Sequence, residues 1–218
     1  MVTIYGVYRS RASRNLWLAN EVGLKFRHVP VIQAYRLPTP SASDAPLNTQ
    51  SPSFLAVNPN GLIPAIEDDG LVLTESLAIN LYLARRYGGS VGPADHAEDG
   101  LMTMWSLWAA TGVEPHSIQI LYNMAAKPAA ERDAAAAQAA IEALRPKFAV
   151  LNEALAKTGY LVGGRFTVAD INVAEIVRYA MPAAELFDAA PNVRTWIQEL
   201  HARPGFKQMA AERDREPA

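Results

Sequence analysis

The chain has 218 residues, with 20 basic and 22 acidic side chains giving a formal net charge of −2. That balance excludes the basic footprint of a nucleic-acid binder, and no apolar run approaches the roughly 18 residues of a membrane span. Cysteine is absent, which excludes disulfides, thiolate metal sites and a protein thiol nucleophile, so any thiol chemistry must arrive with a ligand.

Thr3 to Tyr8 is rich in β-branched and aromatic residues and reads as a first strand rather than a signal peptide, so a cytoplasmic protein is expected. Ser10 to Leu18 carries polar caps into an apolar pattern that stops at Gly23, which predicts a helix. Phe26 to Ile32 reads as a second strand, and the strand–helix–strand order implies a parallel pair. Gln33 to Gln50 is loop-like, with Pro38, Pro40 and Pro46 among short polar residues. It reads as a solvated insertion or as a functional lid. A short helix is expected over 51–57.

The stretch Asn58 to Ile79 carries the strongest local signals. Ile63-Pro64 sits in an apolar run where a proline cannot donate to a sheet ladder, so the run lies at an edge or contains a cis bond. Leu62 to Glu67 and Leu71 to Thr74 form a hairpin around Asp68-Asp69-Gly70. Glu75-Ser76 stands where the second of these strands gives way to a helix over 77–87. The free N–H groups and partial positive charge of that helix start suit a carboxylate. A fixed backbone edge beside an anion cradle fits an extended, anionic, peptide-like ligand.

Gly88 to Pro93 is the best domain boundary. Beyond it every segment reads as helical. Asp95 with Glu98 makes a possible capping box for a long helix toward Ala125, kinked or divided at Pro115. From Ala129 to Lys157, Ile141, Leu144, Phe148, Leu151 and Leu155 step by three and four, an amphipathic helix. Thr167 and Asp170 form a second capping box with Phe166 as its staple, and Pro191 and Pro204 open two last helices. The charged tail from Arg213 to Ala218 is expected to fray.

An α/β domain followed by an all-helical one resembles the soluble glutathione transferases, and the likeness covers nearly the whole chain. It rests on Asn58-Pro59-Asn60-Gly61, Ile63-Pro64-Ala65, Glu75-Ser76 and the Phe166 to Asp170 box, in that order and spacing. The resemblance, to a bacterial-like, serine-type member, implies a thioredoxin-like domain with a mixed four-stranded sheet over 1–88. A linker at 89–94 and an all-α domain over 95–218 would follow. It implies a homodimer that conjugates glutathione, as co-substrate, to small apolar electrophiles in detoxification, with no metal, nucleic-acid or membrane partner. A glutathione-dependent isomerase or peroxidase, or a non-catalytic scaffold, would fit the same fold.

By the same resemblance Pro64 is a cis-proline, and Leu62 and Ile63 border the ligand's cysteinyl unit. Ser76 takes the γ-glutamyl carboxylate and Glu75 faces the ammonium group. Family members often carry a basic residue where Leu62 stands, so Gln50 or Arg36 takes its role or the glycyl end is held weakly. Ser10 is the first candidate for the hydroxyl that donates to the thiolate. Ser13 is the second, with Tyr5 and Tyr8 as tyrosine alternatives. Lowering a thiol pKa by two units from about 8.5 needs about 2.7 kcal/mol. One hydrogen bond to a charged sulfur gives about 1.5–3 kcal/mol, so a single hydroxyl suffices. A second-substrate pocket is expected between the domains near Tyr8, Trp108, Gly112 and His116. His116 lacks metal partners at ligand spacing.

Overall fold

The computed structural model describes residues 1–216. It divides into two compact units, one of Met1–Gly89 with the segment from Arg203 onward, the other of Ser90–Ala202.

The first unit is built on a four-stranded sheet of order β2-β1-β3-β4, from β1 (Val2–Tyr5), β2 (Phe26–Val29), β3 (Ala65–Asp68) and β4 (Leu71–Thr74). As the strand–helix–strand order predicts, β1 is parallel to β2; it is antiparallel to β3. Every β1 residue is buried, as expected of a central strand covered on both faces. Tyr5 joins Val31, Phe54 and Ala65 in a cluster on one face, so by strand alternation Val2 and Ile4 point to the other. The predicted hairpin closes through Asp69 and Gly70, at φ 49° and 83°, the left-handed pair that a tight two-residue turn requires.

Between and after these strands lie three helices, α1 (Ser13–Glu21), α2 (Pro52–Leu55) and α3 (Ser76–Tyr87). Helix α1 starts three residues later than its sequence pattern implies. Ser10 uses its side chain in the preceding turn, accepting the Ala12 N–H at 3.0 Å. The segment 33–50 is ordered by its own polar groups. Ile32 pairs with Asn48, and the buried Asn48 amide donates to the carbonyls of Pro40 and Pro46 at 3.0 and 2.9 Å.

The second unit contains α4 (His96–Gly112), α5 (Glu114–Leu121), α6 (Ala134–Thr158), α7 (Val168–Val177), α8 (Ala184–Asp188) and α9 (Pro191–Ala202). All ten residues of α7 are buried, so it is the core helix, against which α4, α5 and α9 pack. Its capping box is complete. The Asp170 carboxylate accepts the Thr167 N–H and hydroxyl, the Leu161 N–H and the Trp196 indole N–H. The long helix expected from Asp95 toward Ala125 is divided rather than kinked, at Val113, two residues before Pro115, and ends in a π-helical turn at Tyr122–Ala126. Helix α6 starts at Ala134 rather than Ala129, because the Asp133 carboxylate caps it through the Ala136 N–H. Among the described residues no helix is long and apolar enough to cross a membrane.

Two features of the C-terminus correct the sequence reading. The last helix, α10 (Pro204–Arg215), belongs to the sheet unit rather than the helical one. It packs on α1, where Phe206 meets Trp17 edge-on at 5.0 Å and Arg203 pairs with Glu21 at 2.6 Å. The charged tail does not fray up to Glu216, because α10 continues to Arg215 and Glu216 is hydrogen-bonded. Pro217 and Ala218 lie outside the described residues.

At the start of the helical unit, Arg165 grips both Glu98 oxygens at 2.7 Å and donates to the carbonyls of Ser90 and Gly92. Arg165, seconded by the Ala94 N–H, holds the Glu98 carboxyl at about 2, below its usual 4.5. Because the folded value is the lower one, this pair stabilises the fold above 4.5 and loses its contribution as pH falls toward about 2. Glu98→Gln should therefore flatten the acid side of the stability profile, measured as urea midpoints across that range. Parallel profiles for the two proteins would contradict the assignment.

Candidate active site

Four segments of the sheet unit supply the predicted site. They are the loop between β1 and α1, the turn before Pro64, the start of α3 and the first turn of α1. Gly6 is where the first two approach. A Cβ at Gly6 would lie 2.8 Å from the Ala12 Cβ and 3.4 Å from the Ile63 Cβ. Its φ of 139° also suits glycine alone. A larger residue there would push apart the Ser10 loop and the Ile63 segment.

The Ile63–Pro64 bond is cis. Asn58 is buried and builds the turn that leads into it. Its amide donates to the Leu62 carbonyl at 2.7 Å, and its Oδ1 accepts the Asn60 N–H at 3.1 Å. The Ile63 N–H and C=O take no hydrogen bond among the described residues. Strand β3 begins only at Ala65, so the backbone ahead of Pro64 stays available for pairing. Leu62 is 62% exposed and brings no charge to this edge. Arg36 donates to Gln33 and the Gln50 N–H to Asn48.

Glu75 caps α3 at φ 66° and ψ 106°, a strained conformation for a residue with a Cβ and one that clusters at ligand sites. Ser76 follows it, buried at 5% exposure. The guanidinium of Arg14, itself buried, donates to the Ser76 hydroxyl oxygen at 3.0 Å. That bond leaves the Ser76 O–H proton free to donate. It also sets a cation behind a helix N-terminus that is already positive. Asn15 ties the same point down, donating to the Ser76 carbonyl at 2.8 Å and to Asn80 at 2.7 Å. The Asn80 amide returns a bond to the Arg14 carbonyl. None of these links was read from the sequence. Their only trace is a run of polar residues, Ser13-Arg14-Asn15, in a helix whose residues from Ser13 to Ala19 are all buried.

The two serine candidates differ sharply. Ser10 is half-buried in the loop. Its hydroxyl donates to the Val7 carbonyl at 2.6 Å and accepts the Ala12 N–H. Ser13 is 1% exposed, inside the first turn of α1. Tyr5 is buried in β1 with its hydroxyl on Glu67. Tyr8 is half-buried and stands edge-on to the His28 ring at 5.1 Å. Burial first, then the charges of Glu212 and Glu216, raise the Tyr8 pKa, so its phenol stays protonated.

Trp108, Gly112 and His116 belong to the helical unit, whereas Tyr8 belongs to the sheet unit. Trp108 is half-buried and packs edge-on to Trp105 at 5.1 Å. Gly112 ends α4, with the Lys147 side chain beside it. The backbone N–H of His116 closes the first turn of α5 on Val113. Among the described residues no group of three His, Cys, Asp or Glu side chains could hold a metal ion.

Residues 9–86 match the family model described as the N-terminal domain of glutathione S-transferase, and residues 113–204 match that of its C-terminal domain. The glutathione S-transferase GstB of Escherichia coli is 35% identical over 162 residues, 72% of this chain and 76% of its own. Glutathione S-transferase 3 of Zea mays is 32% identical over 200 residues, 88% of this chain and 85% of its own. A theta-class glutathione S-transferase of Xanthomonas axonopodis pv. citri, solved with glutathione bound, superposes with a TM-score of 0.77 at 28% identity. It covers 95% of each chain. This chain belongs to the glutathione S-transferase family.

Proposed function

We propose that the chain conjugates the thiolate of glutathione to small, apolar electrophiles, with Ser10 as the hydroxyl that stabilises the thiolate. The start of α3 carries the proposal. A buried arginine donates to Ser76 and leaves that hydroxyl and the helix N-terminus turned to a carboxylate, as the γ-glutamyl end requires. Charge-assisted bonds of this kind contribute about 1.5–3 kcal/mol each. Glu75 faces the ammonium group in this reading. Leu62 and Ile63 border the cysteinyl unit by strand addition, and Pro64 ends that edge.

Ser10 carries a constraint. Its one proton sits on the Val7 carbonyl, so a thiolate must draw it away. A neutral hydrogen bond contributes about 0.5–1.5 kcal/mol and one to a charged group about 1.5–3 kcal/mol, so the exchange favours the sulfur. The same Val7 bond supports a second reading, a glutathione-binding protein that does not activate the thiol.

The exposed stripe of α4, with Leu101, Met104 and Leu107 at 44, 49 and 59%, supports a homodimer in which a second copy covers it. Leu107→Glu should shift sedimentation from dimer to monomer. A monomeric wild-type protein would contradict this.

Ser10→Ala should lower kcat/KM for conjugation by about 5- to 15-fold, the equivalent of exchanging a neutral hydrogen bond for a charged one. Ser13→Ala should stay within about threefold. Loss with Ser13→Ala alone would sink the assignment, and undetectable conjugation by the wild-type protein would favour the binding reading.

A further inference from the structure

The loop that carries Ser10 is held from an unexpected direction. The carboxylate of Glu216, the residue after α10, accepts the Tyr8 N–H on one oxygen at 2.7 Å and the Arg9 N–H on the other at 2.8 Å. The Arg9 side chain closes the ring, its Nε donating to the Glu216 carbonyl at 3.1 Å. Two successive backbone N–H groups make an anion-binding concavity, here filled by the protein's own carboxylate. Among the described residues, the remaining polar support of residues 7–9 is the Ser10 bond to Val7 and a long, 3.4 Å contact from Gln33 to the Arg9 carbonyl.

Helix α10 is a rigid arm for this contact. Gly205 lies so close to α1 that a Cβ would meet the Glu21 backbone at 2.8 Å. Arg203 pairs with the same Glu21, and Phe206 packs on Trp17. The arm is thus fixed to the far end of α1, and its last residue returns to the loop that precedes α1.

We propose that Glu216 is a positioning residue for Ser10, bracing the loop so that the hydroxyl is held where the thiolate forms. The inference rests on the proposed role of Ser10 in stabilising that thiolate. A carboxylate so near a thiolate is electrostatically adverse, and Glu216 and Glu212 already raise the Tyr8 pKa. A brake on the reaction is therefore the opposing outcome. The brace follows from where the charge lies: both carboxylate oxygens are on backbone N–H groups, while the Arg9 side chain holds the Glu216 backbone carbonyl.

The test compares Glu216→Gln, Glu216→Asp, Ser10→Ala and Ser10→Ala/Glu216→Gln in the full chain, with chlorodinitrobenzene as electrophile. Glutamine keeps the size of glutamate but sets an NH2 against one of the two donors. Glu216→Gln should lower kcat about tenfold, since small misplacements of reacting groups are costly. KM for glutathione should stay within about twofold, and Tm should be unchanged. Glu216→Asp, which keeps both oxygens, should recover part of the loss. In the Ser10→Ala background the glutamine change should have no further effect, as expected of residues acting through one another.

An undiminished kcat in Glu216→Gln, or a higher one, overturns the inference while leaving Ser10 in place. Losses that multiply in the double variant also overturn it, as does a fall in kcat matched by a fall in Tm. If Ser10→Ala retains full activity, the reading of Ser10 and the inference fall together.

Discussion

The bond from Arg14 to Ser76 is the contact on which the site's arrangement depends. It joins the first turn of α1 to the first turn of α3 through a guanidinium that is itself buried. Asn15 and Asn80, both fully buried, cross-brace the same two helices. A buried charged donor that loses its acceptor costs more than an exposed ion pair contributes. The network therefore fixes the spacing of the two helix starts. On the proposed reading, that spacing is the distance between the thiolate's donor and the cradle of the γ-glutamyl carboxylate.

The proposed chemistry turns on hydroxyl protons. Ser76 receives a bond from Arg14 and has its proton to give. Ser10 gives its proton to Val7, and only a stronger acceptor recovers it. A neutral thiol is no such acceptor, whereas a thiolate is. The two serines thus divide the work in the proposed mechanism: one holds the ligand in either protonation state, and the other favours the ionised form. Because the chain has no cysteine, the ligand's sulfur meets no competing protein thiol.

Much of this was legible in the residues. The Asp69-Gly70 turn, the Thr167/Asp170 box, the proline-opened helices and the special proline at Pro64 are all local signals. Each depends on the backbone demands of one or two residues. What escaped were contacts between residues far apart in the chain. Arg14 to Ser76 spans 62 positions and Glu216 to Tyr8 spans 208, and no periodicity encodes either. The placement of α10 escaped for the same reason. An amphipathic pattern shows that a face is buried but does not name its partner, and here that partner is α1. The division at Val113 was half legible, since Pro115 marked the place but the break lies just ahead of it.

The most direct test is a crystal structure of the protein with glutathione. The account predicts the γ-glutamyl carboxylate on the Ser76 N–H and hydroxyl and the cysteinyl unit paired with the Ile63 backbone. The sulfur should lie within hydrogen-bond reach of Ser10, and the glycyl carboxylate should pass Leu62 without a charged partner there. Glutathione bound elsewhere, or bound here with the Ser76 hydroxyl untouched, would contradict it.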